Sequence, residues 1–184
     1  MRTERLLLRR INPEDQRLIY KGLSDPEVTR YYGVSFESYN DAKAQMDWFS
    51  YLERTRTGIW WAVCSADNSV FYGAGGFNNI EGKTAEAGFW LMPQFWRKGI
   101  LKEAFPHMLE YGFKHLGLSR VESLVDSAHT ACKLALQNLK FRYEKTVASR
   151  LKGGKAIDID LFSFIFQPGF TCHYLAEYAP ANIR

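Results

Sequence analysis

Cysteine is scarce in this chain of 184 residues, and its three copies lie far apart. They are Cys64, Cys132 and Cys172, and none belongs to a C-x-x-C pair. An odd number of widely spaced cysteines argues against a disulfide scaffold and against a zinc cluster, so no metal site is expected. The natural compartment for such a chain is the reducing cytoplasm.

Long apolar runs and a strong excess of one charge are also missing. No stretch is apolar over enough residues to span a bilayer, and the arginine-rich N-terminus lacks the apolar segment of a signal peptide. The 24 basic and 20 acidic residues leave a formal charge of +4, which is too modest to argue for nucleic acid. We therefore expect a soluble intracellular protein without a membrane or nucleic-acid partner.

Apolar and aromatic side chains, in contrast, are plentiful. The 46% of hydrophobic and 15% of aromatic residues are typical of a packed globular protein. No internal repeat, low-complexity segment or linker divides the chain, so residues 1–184 are predicted to form a single domain. Residues 167–184 fall outside the regular pattern, and their aromatics predict packing on this domain or on a partner.

The order of strand and helix patterns is typical of an α/β domain. Seven segments are predicted as strands: ERLLLRRI, IWWAVCSA, VFYGAGGF, TAEAGFWLM, RVESLVD, FRYEKTV and AIDIDLFSFIF. Four helical patterns are predicted, at residues 13–21, 39–56, 98–116 and 130–139. Asn12 is the predicted N-cap of the first helix, and Gly22 is predicted to lie beyond its end.

The stretch QFWRKGILKEA, residues 94–104, places a glycine at the start of a helical pattern. Backbone amides at a helix N-terminus have no intrahelical partners, and the helix dipole favours an anion there. Gly99 allows backbone geometry that other residues resist, while Arg97 and Lys98 add positive charge. Two interpretations follow from these residues alone: a phosphate site, or a basic helix cap and nothing more.

Glu86 is the charged residue in the otherwise apolar strand AEAGFWL. Its carboxylate is expected to point into the interior or into a cleft. An unpaired buried charge is costly, so the group must be paired, protonated or facing water.

Several blocks of the sequence, taken in order, resemble a known family. They are TERLLLR, SDPEVTRYYG, AEAGFWLMPQFWRKGILKEA, LGLSRVESLVD and GKAIDIDLFSF. On these blocks the chain is similar to the GNAT N-acetyltransferases, specifically to the RimJ/RimL-like branch that modifies protein N-termini. The blocks extend from residue 3 to about residue 166, which is nearly the whole chain.

The resemblance implies a fold and an activity. The fold is a central mixed, mostly antiparallel twisted sheet of about seven strands, with about four helices on its two faces. The activity is direct transfer of an acetyl group from acetyl-CoA to a primary amine, without a metal. A protein N-terminal α-amine is the expected acceptor. A small amine such as a polyamine or an antibiotic, and a domain that binds acyl-CoA without turnover, are the alternatives; a homodimer is a possible assembly.

The resemblance also implies which residues meet coenzyme A. The strand with Glu86 should splay from its neighbour, so that open backbone groups pair with the pantetheine arm and one amide holds the thioester oxygen. Glu86 would hold or deprotonate the amine, directly or through water; a structural pair with an arginine is the equal alternative. The residues implied in contacts with coenzyme A are Phe89, Trp90, Leu91, Trp96, Arg97, Lys98, Gly99, Ile100, Leu101, His129 and Cys132.

Three motifs depart from the family pattern: the pyrophosphate loop, the Asn-x-x-Ser and a turn glycine. Leu101 stands where the pyrophosphate loop of the family ends in Gly or Ala. Because Cα–Cβ bonds in a helix tilt toward its N-terminus, the Leu101 side chain is expected to lean toward the loop and narrow it. The family's Asn-x-x-Ser reads His129-Thr-Ala-Cys132 here, and Lys140 replaces a turn glycine. His129 either contacts the pantetheine arm or simply starts the helix.

Two residues are candidates to protonate the thiolate of coenzyme A as it leaves. Cys132 is expected one turn into a helix, where the dipole can lower the pKa of a thiol. The alternative for Cys132 is a small apolar residue that faces the core. Tyr143, on the following strand, is the rival proton donor.

Overall fold

A computed structural model of the protein describes residues 1–152, 155–167 and 169–171. Within these residues the chain forms seven strands: β1 (Leu6–Arg10), β2 (Ile59–Ser65), β3 (Phe71–Glu81), β4 (Thr84–Leu91), β5 (Arg120–Asp126), β6 (Arg142–Lys152) and β7 (Lys155–Ile165). The same part of the chain contains five α-helices: α1 (Gln16–Leu23), α2 (Pro26–Thr29), α3 (Lys43–Thr55), α4 (Ile100–His115) and α5 (Thr130–Asn138).

The seven strands form one mixed sheet in the order β1-β2-β3-β4-β5-β7-β6. Strands β4 and β5 pair in parallel, and every other neighbouring pair described is antiparallel. The parallel pairing is short, because it joins only residues 84–86 to residues 120–122. Beyond Glu86 the two strands separate. The predicted mostly antiparallel sheet is therefore confirmed, with a gap near its middle.

Apolar side chains cover both faces of the sheet, because alternate residues of each strand point to opposite faces. On the face that α4 and α5 cover, here the α4/α5 face, the buried residues include Phe77, Phe105, Met108, Leu109 and Val121. On the opposite face, here the α1–α3 face, they include Ile19, Leu23, Phe49, Trp60 and Trp90. Helices on both faces agree with the predicted architecture.

The predicted helix boundaries need two corrections. Gly22 lies inside the last turn of α1 instead of beyond it. A Cβ at this position would stand 2.0 Å from Cζ3 of Trp90, so only glycine leaves room for the indole ring. The next long helix, α3, begins at Lys43 and not at residue 39. Ser38 and Asp41 bond to each other's backbone amides, and this turn delays the helix. The described residues hold five helices instead of about four, because Pro26–Thr29 adds a single-turn helix.

The start of the C-terminal segment packs on the domain itself. Phe170 is buried against Phe113, Phe164 and Phe166, with ring centroids 5.4 to 6.1 Å apart. This contact agrees with the first of the two expectations for residues 167–184, and residues 172–184 lie outside the described part. No helix in that described part combines the length and the apolar character needed to cross a bilayer.

Candidate active site

The gap between β4 and β5 exposes backbone groups of β4. The carbonyl of Leu91 points away from β3 and accepts a hydrogen bond from Nε1 of Trp96 at 2.8 Å. The carbonyl of Ala87 points the same way and lies 3.5 Å from Oγ of Ser123 on β5. Because backbone groups of alternate residues point to the same side of a strand, the N–H and C=O of Phe89 also face the gap. An extended ligand arm would find hydrogen-bonding groups there.

The loop before α4 has the backbone geometry of an anion site. Gly99 is the N-cap of the helix with φ of +74°, and Arg97 before it also has a left-handed φ of +60°. The N–H of Glu103 bonds to the carbonyl of Gly99 at 3.0 Å. The amides of Ile100, Leu101 and Lys102 therefore precede the first intrahelical bond and are open to an anion.

The N-terminal segment braces this loop. Arg5 pairs with Glu103 at 2.6 Å, and Thr3 also donates to that carboxylate through a short hydrogen bond. Burial raises the pKa of Glu103, but the bonds from Thr3 and Arg5 together outweigh burial and lower it. Arg5 also lies 3.4 Å from a Cβ built on Gly99. The negative charge of Glu103 is thus compensated beside the loop, which keeps the loop attractive to phosphate.

The side chain of Leu101 contributes to the core. It is partly buried and packs against the apolar cluster of the α4/α5 face. Burial of the isobutyl group is favourable, which supports a structural role for this residue. The expectation that it leans toward the loop and narrows it stays a prediction.

Glu86 lies at the point where β4 and β5 part, and it faces a polar pocket of about 360 Å³. The pocket is lined by Asn79, Glu81, Thr84, Ala85, Glu86 and Glu122. Nδ2 of Asn79 donates to Oε2 of Glu86 at 2.9 Å. Within the described residues Glu86 forms no salt bridge, since the neighbouring Arg120 pairs with Glu122 and Glu144. An arginine pair, the structural alternative for Glu86, is absent from this part of the chain.

Tyr32, from the loop after α2, lies on the same face of β4 as Glu86. Its hydroxyl oxygen is 3.7 Å from a Cβ built on Gly88, the next residue of β4 on that face. Burial raises the pKa of Tyr32, and the negative charge of Glu86 raises it further. The phenol therefore stays protonated at neutral pH. Nothing in the local sequence around Tyr32 signals this position, because the loop reaches β4 only in the folded protein.

Cys132 lies on the other face of the sheet. It is partly buried and packs against the cluster of the α4/α5 face, and burial raises the pKa of its thiol to about 11. The direction is opposite to that expected from the helix dipole, because burial disfavours the charged thiolate. The thiol is protonated at neutral pH, but it is a weak acid.

His129 and Tyr143 frame the same region. His129 is the N-cap of α5, and its ring stacks on Tyr31 with 4.4 Å between centroids and 17° between planes. Tyr143 on β6 is exposed, and its hydroxyl oxygen is 3.3 Å from Oγ1 of Thr146. Its ring packs edge-on against Phe162, which belongs to the α4/α5 face.

Most of the residues expected to contact coenzyme A fall into two groups, those on β4 and those in the loop before α4. Phe89 and the loop residues Arg97, Lys98 and Gly99 present backbone groups or charge. Ile100 and Leu91 direct their side chains into the core and can offer only backbone groups. Trp90 is not brought to the gap: its side chain is buried on the α1–α3 face and its backbone pairs with Ala74 of β3.

The site is therefore two-sided. The gap, the Gly99 loop, Cys132 and Tyr143 belong to the α4/α5 side, whereas Glu86, Asn79 and Tyr32 belong to the α1–α3 side. A group carried on a long arm and a second reactant could approach each other through the gap from opposite faces. Asn79 and Tyr32 were not identified as site residues from the sequence. Asn79 lies seven residues before Glu86, across the EGK turn of a hairpin, and this spacing was a signal that the two side chains could meet.

Comparisons with known proteins agree with this geometry. The profile of the acetyltransferase (GNAT) domain matches residues 5–142. The N-acetyltransferase YoaA of Bacillus subtilis (strain 168) is 31% identical over 169 residues, which are 90% of this chain and 96% of that protein.

Two solved structures share the fold. A spermidine N-acetyltransferase from Vibrio cholerae, in complex with CoA and spermine, superposes with a TM-score of 0.78 at 17% identity, over 89% of this chain and 96% of that one. An acetyltransferase from Salmonella typhimurium, described as modifying the N-terminal serine of ribosomal protein L7/L12, has a TM-score of 0.79 at 16% identity, over 90% and 97%. The family profile covers most of the chain, so the chain belongs to the GNAT family of N-acetyltransferases.

Proposed function

We propose that this N-acetyltransferase acetylates a protein N-terminal α-amine, with acetyl-CoA as the donor. The observation that carries the proposal is the placement of Glu86. Its carboxylate lines an acidic pocket on one face of β4, and the gap that suits the pantetheine arm begins beside it. A protonated amine is attracted to that pocket, and a reference pKa of ~8 for an α-amine means that a weak base is enough to deprotonate it.

The residues of the α4/α5 side fit coenzyme A. The open amides at the start of α4, with Arg97 and Lys98, suit the pyrophosphate. The backbone of Phe89 suits the pantetheine arm, and its amide is placed to hold the thioester oxygen, which gains negative charge in the transition state. The thioester supplies the acetyl group, and no metal is needed for its transfer.

Three groups divide the proton transfers. Glu86 accepts a proton from the amine, directly or through water, as the amine nitrogen forms its bond to the carbonyl carbon. The carbon–sulfur bond breaks, and the thiolate takes a proton from Tyr143, from Cys132 or from solvent. We favour Tyr143 of the two donors, because it is exposed and its hydroxyl bonds to Thr146, whereas the partly buried thiol of Cys132 has a raised pKa.

A polyamine is the second candidate acceptor, and the charge of the pocket suits it as well. Glu81, Glu86 and Glu122 line one cavity, and several carboxylates suit a molecule with several ammonium groups. The Vibrio enzyme acts on a polyamine and the Salmonella enzyme on a protein N-terminus, and both share the fold of this chain.

One assay separates these acceptors. The protein is incubated with acetyl-CoA and either a library of peptides with free N-termini, the same library with blocked N-termini, or spermidine. Free thiol and acetylated product are measured by absorbance and mass spectrometry. The proposal expects product with the free peptides only. Product with spermidine alone would assign the polyamine, and coenzyme A binding without thiol release would assign a non-catalytic acyl-CoA-binding domain.

A further inference from the structure

Strand β3 contains a bulge beside Glu86. Pairing with β4 is regular up to Asn78 opposite Glu86, and it resumes with Glu81 opposite Thr84. Two residues of β3, Asn79 and Ile80, therefore oppose the single residue Ala85. Such an extra residue bends the strand and redirects a side chain, and bulges are frequent next to active sites.

The backbone of Asn79 is held in a conformation that few residues adopt. Its φ is +52°, in the left-handed region, where asparagine is the best tolerated residue after glycine. Together with the bulge, this conformation places Nδ2 of Asn79 2.9 Å from Oε2 of Glu86. The backbone of Asn79 is therefore locally strained, and Asn79 is the residue that contacts the proposed base, Glu86.

We propose that Asn79 is a positioning residue for acetyl transfer, whose amide holds the Glu86 carboxylate toward the acceptor pocket. This inference rests on the proposed function of Glu86. The amide bonds to Oε2, and Oε1 would then serve the acceptor in the pocket that both residues line. An amide carries no charge, so it orients the carboxylate without neutralising it. An arginine or a lysine would neutralise the charge.

The charges around the carboxylate explain why a neutral partner is suitable. Glu86 shares its pocket with Glu81 at the end of β3 and with Glu122 on β5, and its charge acts on the hydroxyl of Tyr32. The positive charge of Arg120 is shared between Glu122 and Glu144 at 2.7 and 2.8 Å. Among the described side chains, the amide of Asn79 donates the hydrogen bond to the Glu86 carboxylate.

The test uses variants that separate the amide from the backbone. Asn79→Gly removes the amide but tolerates a left-handed φ, and Asn79→Asp keeps the shape but replaces the donor with a carboxylate. Asn68→Gly is the matched control, because Asn68 also has a left-handed φ, +62°, and lies in the β2–β3 turn away from the pocket. Circular dichroism checks that each variant is folded.

Kinetics are measured with acetyl-CoA and two acceptors, a hexapeptide with a free N-terminal serine and spermidine. We expect Asn79→Gly to lower kcat about tenfold, as a misplaced catalytic group does, with KM for acetyl-CoA within about twofold of wild type. Asn79→Asp should lower kcat and move the acid limb of the pH–rate profile to higher pH, since adjacent carboxylates resist joint ionisation. Asn68→Gly should remain within about twofold of wild type.

A double-mutant cycle completes the test. In the Glu86→Gln background, Asn79→Gly should have no further effect on kcat, because the group it positions is already disabled. Wild-type kcat in Asn79→Gly, or full additivity of the two changes, overturns the inference while leaving Glu86 as the base. Wild-type kcat in Glu86→Gln, or no acetylation of either acceptor by the wild-type protein, overturns the proposed function and this inference with it.

Discussion

At the scale of single residues, the proposed chemistry depends on Glu86 and on Gly99. Glu86 carries a charge on a strand that is otherwise apolar, and Gly99 carries no side chain where a helix begins. Each residue is unusual in its local context: Glu86 lies where the pairing of β4 with β5 ends, and Gly99 is the N-cap of α4.

Replacing the proposed base should affect turnover more than donor binding. In Glu86→Gln the amide keeps the shape of the side chain but cannot accept a proton, so we expect kcat to fall by about a hundredfold. The Kd for acetyl-CoA, measured by calorimetry, should change by less than about twofold. Full activity in this variant would assign Glu86 to structure.

A negative charge at the loop should abolish coenzyme A binding. Gly99→Glu places a carboxylate beside the open amides of α4 and also strains a residue with φ of +74°, at a cost of about 1 kcal/mol. Gly117→Glu is the matched control, because Gly117 has a φ of +68° and open space around it at the other end of α4. Calorimetry should detect coenzyme A binding in the control and none in Gly99→Glu. Unchanged affinity in a folded Gly99→Glu protein would place the phosphate site elsewhere.

At the scale of elements, α4 contributes to the core with its inner side, and in the proposed function the amides of its first turn bind the donor. Leu101 belongs to the inner side, since it packs against the apolar cluster. We therefore expect the departure from a small residue at this position to affect stability more than the width of the loop.

Shortening Leu101 should weaken the fold and spare the donor site. We expect Leu101→Ala to reduce the free energy of unfolding by about 1–2 kcal/mol, because a partly buried isobutyl group is lost. Coenzyme A affinity should stay within about twofold, because the contacts come from backbone amides. The melting temperature of the unliganded protein and a calorimetric titration measure the two effects. A lower melting temperature with weaker binding would mean that the leucine also supports the loop.

At the scale of the whole molecule, one buried carboxylate, that of Asp160, connects β5, β6, β7 and α5. Asp160 on β7 accepts hydrogen bonds from Ser127 after β5, from Thr146 on β6 and from Lys133 on α5, at 2.7, 2.9 and 3.2 Å. The bond from Ser127, with those from Thr146 and Lys133, holds the pKa of Asp160 below its usual range despite burial. This network fixes the N-terminal turn of α5, where His129 and Cys132 lie.

The network should make stability depend on acid pH. A carboxyl group whose pKa is lower in the folded state stabilises the fold above its unfolded pKa of ~3.9, and this contribution is lost as pH falls through the folded pKa. Asp160→Asn should therefore melt below wild type at pH 7, and the difference should shrink as pH falls below about 4. Asp47→Asn, at an exposed helical pair with Lys43, is the control and should show little difference at either pH. A gap in melting temperature that does not depend on pH would point to lost packing instead of lost charge.

Much of the fold could be predicted because its signals are local. Apolar runs between turn residues predicted all seven strands, and RVESLVD coincides with β5 at both ends. The glycine and the basic pair before α4 mark the helix start within two residues of its observed position. These features depend on residues that are neighbours in the chain, where periodicity and backbone propensity act directly.

The remaining features arise only from contacts between distant segments. Gly22 had the appearance of a helix terminator, yet the tertiary structure uses it to admit the ring of Trp90. The sequence placed Trp90 in a strand but did not show which face of the sheet its side chain occupies. A shift of one residue in strand register moves a side chain to the opposite face.

For the site, the sequence by itself determined which residues are candidates for chemistry, namely a glutamate in an apolar strand and a glycine before a helix. Only the tertiary structure decided what surrounds them. Folding brings Tyr32 and Asn79 to the face of Glu86, leaves Cys132 partly buried on the opposite face, and separates β4 from β5 between them. The reason is physical: hydrogen bonds, burial and shifted pKa values depend on atoms close in space, and those atoms belong to segments far apart in the chain.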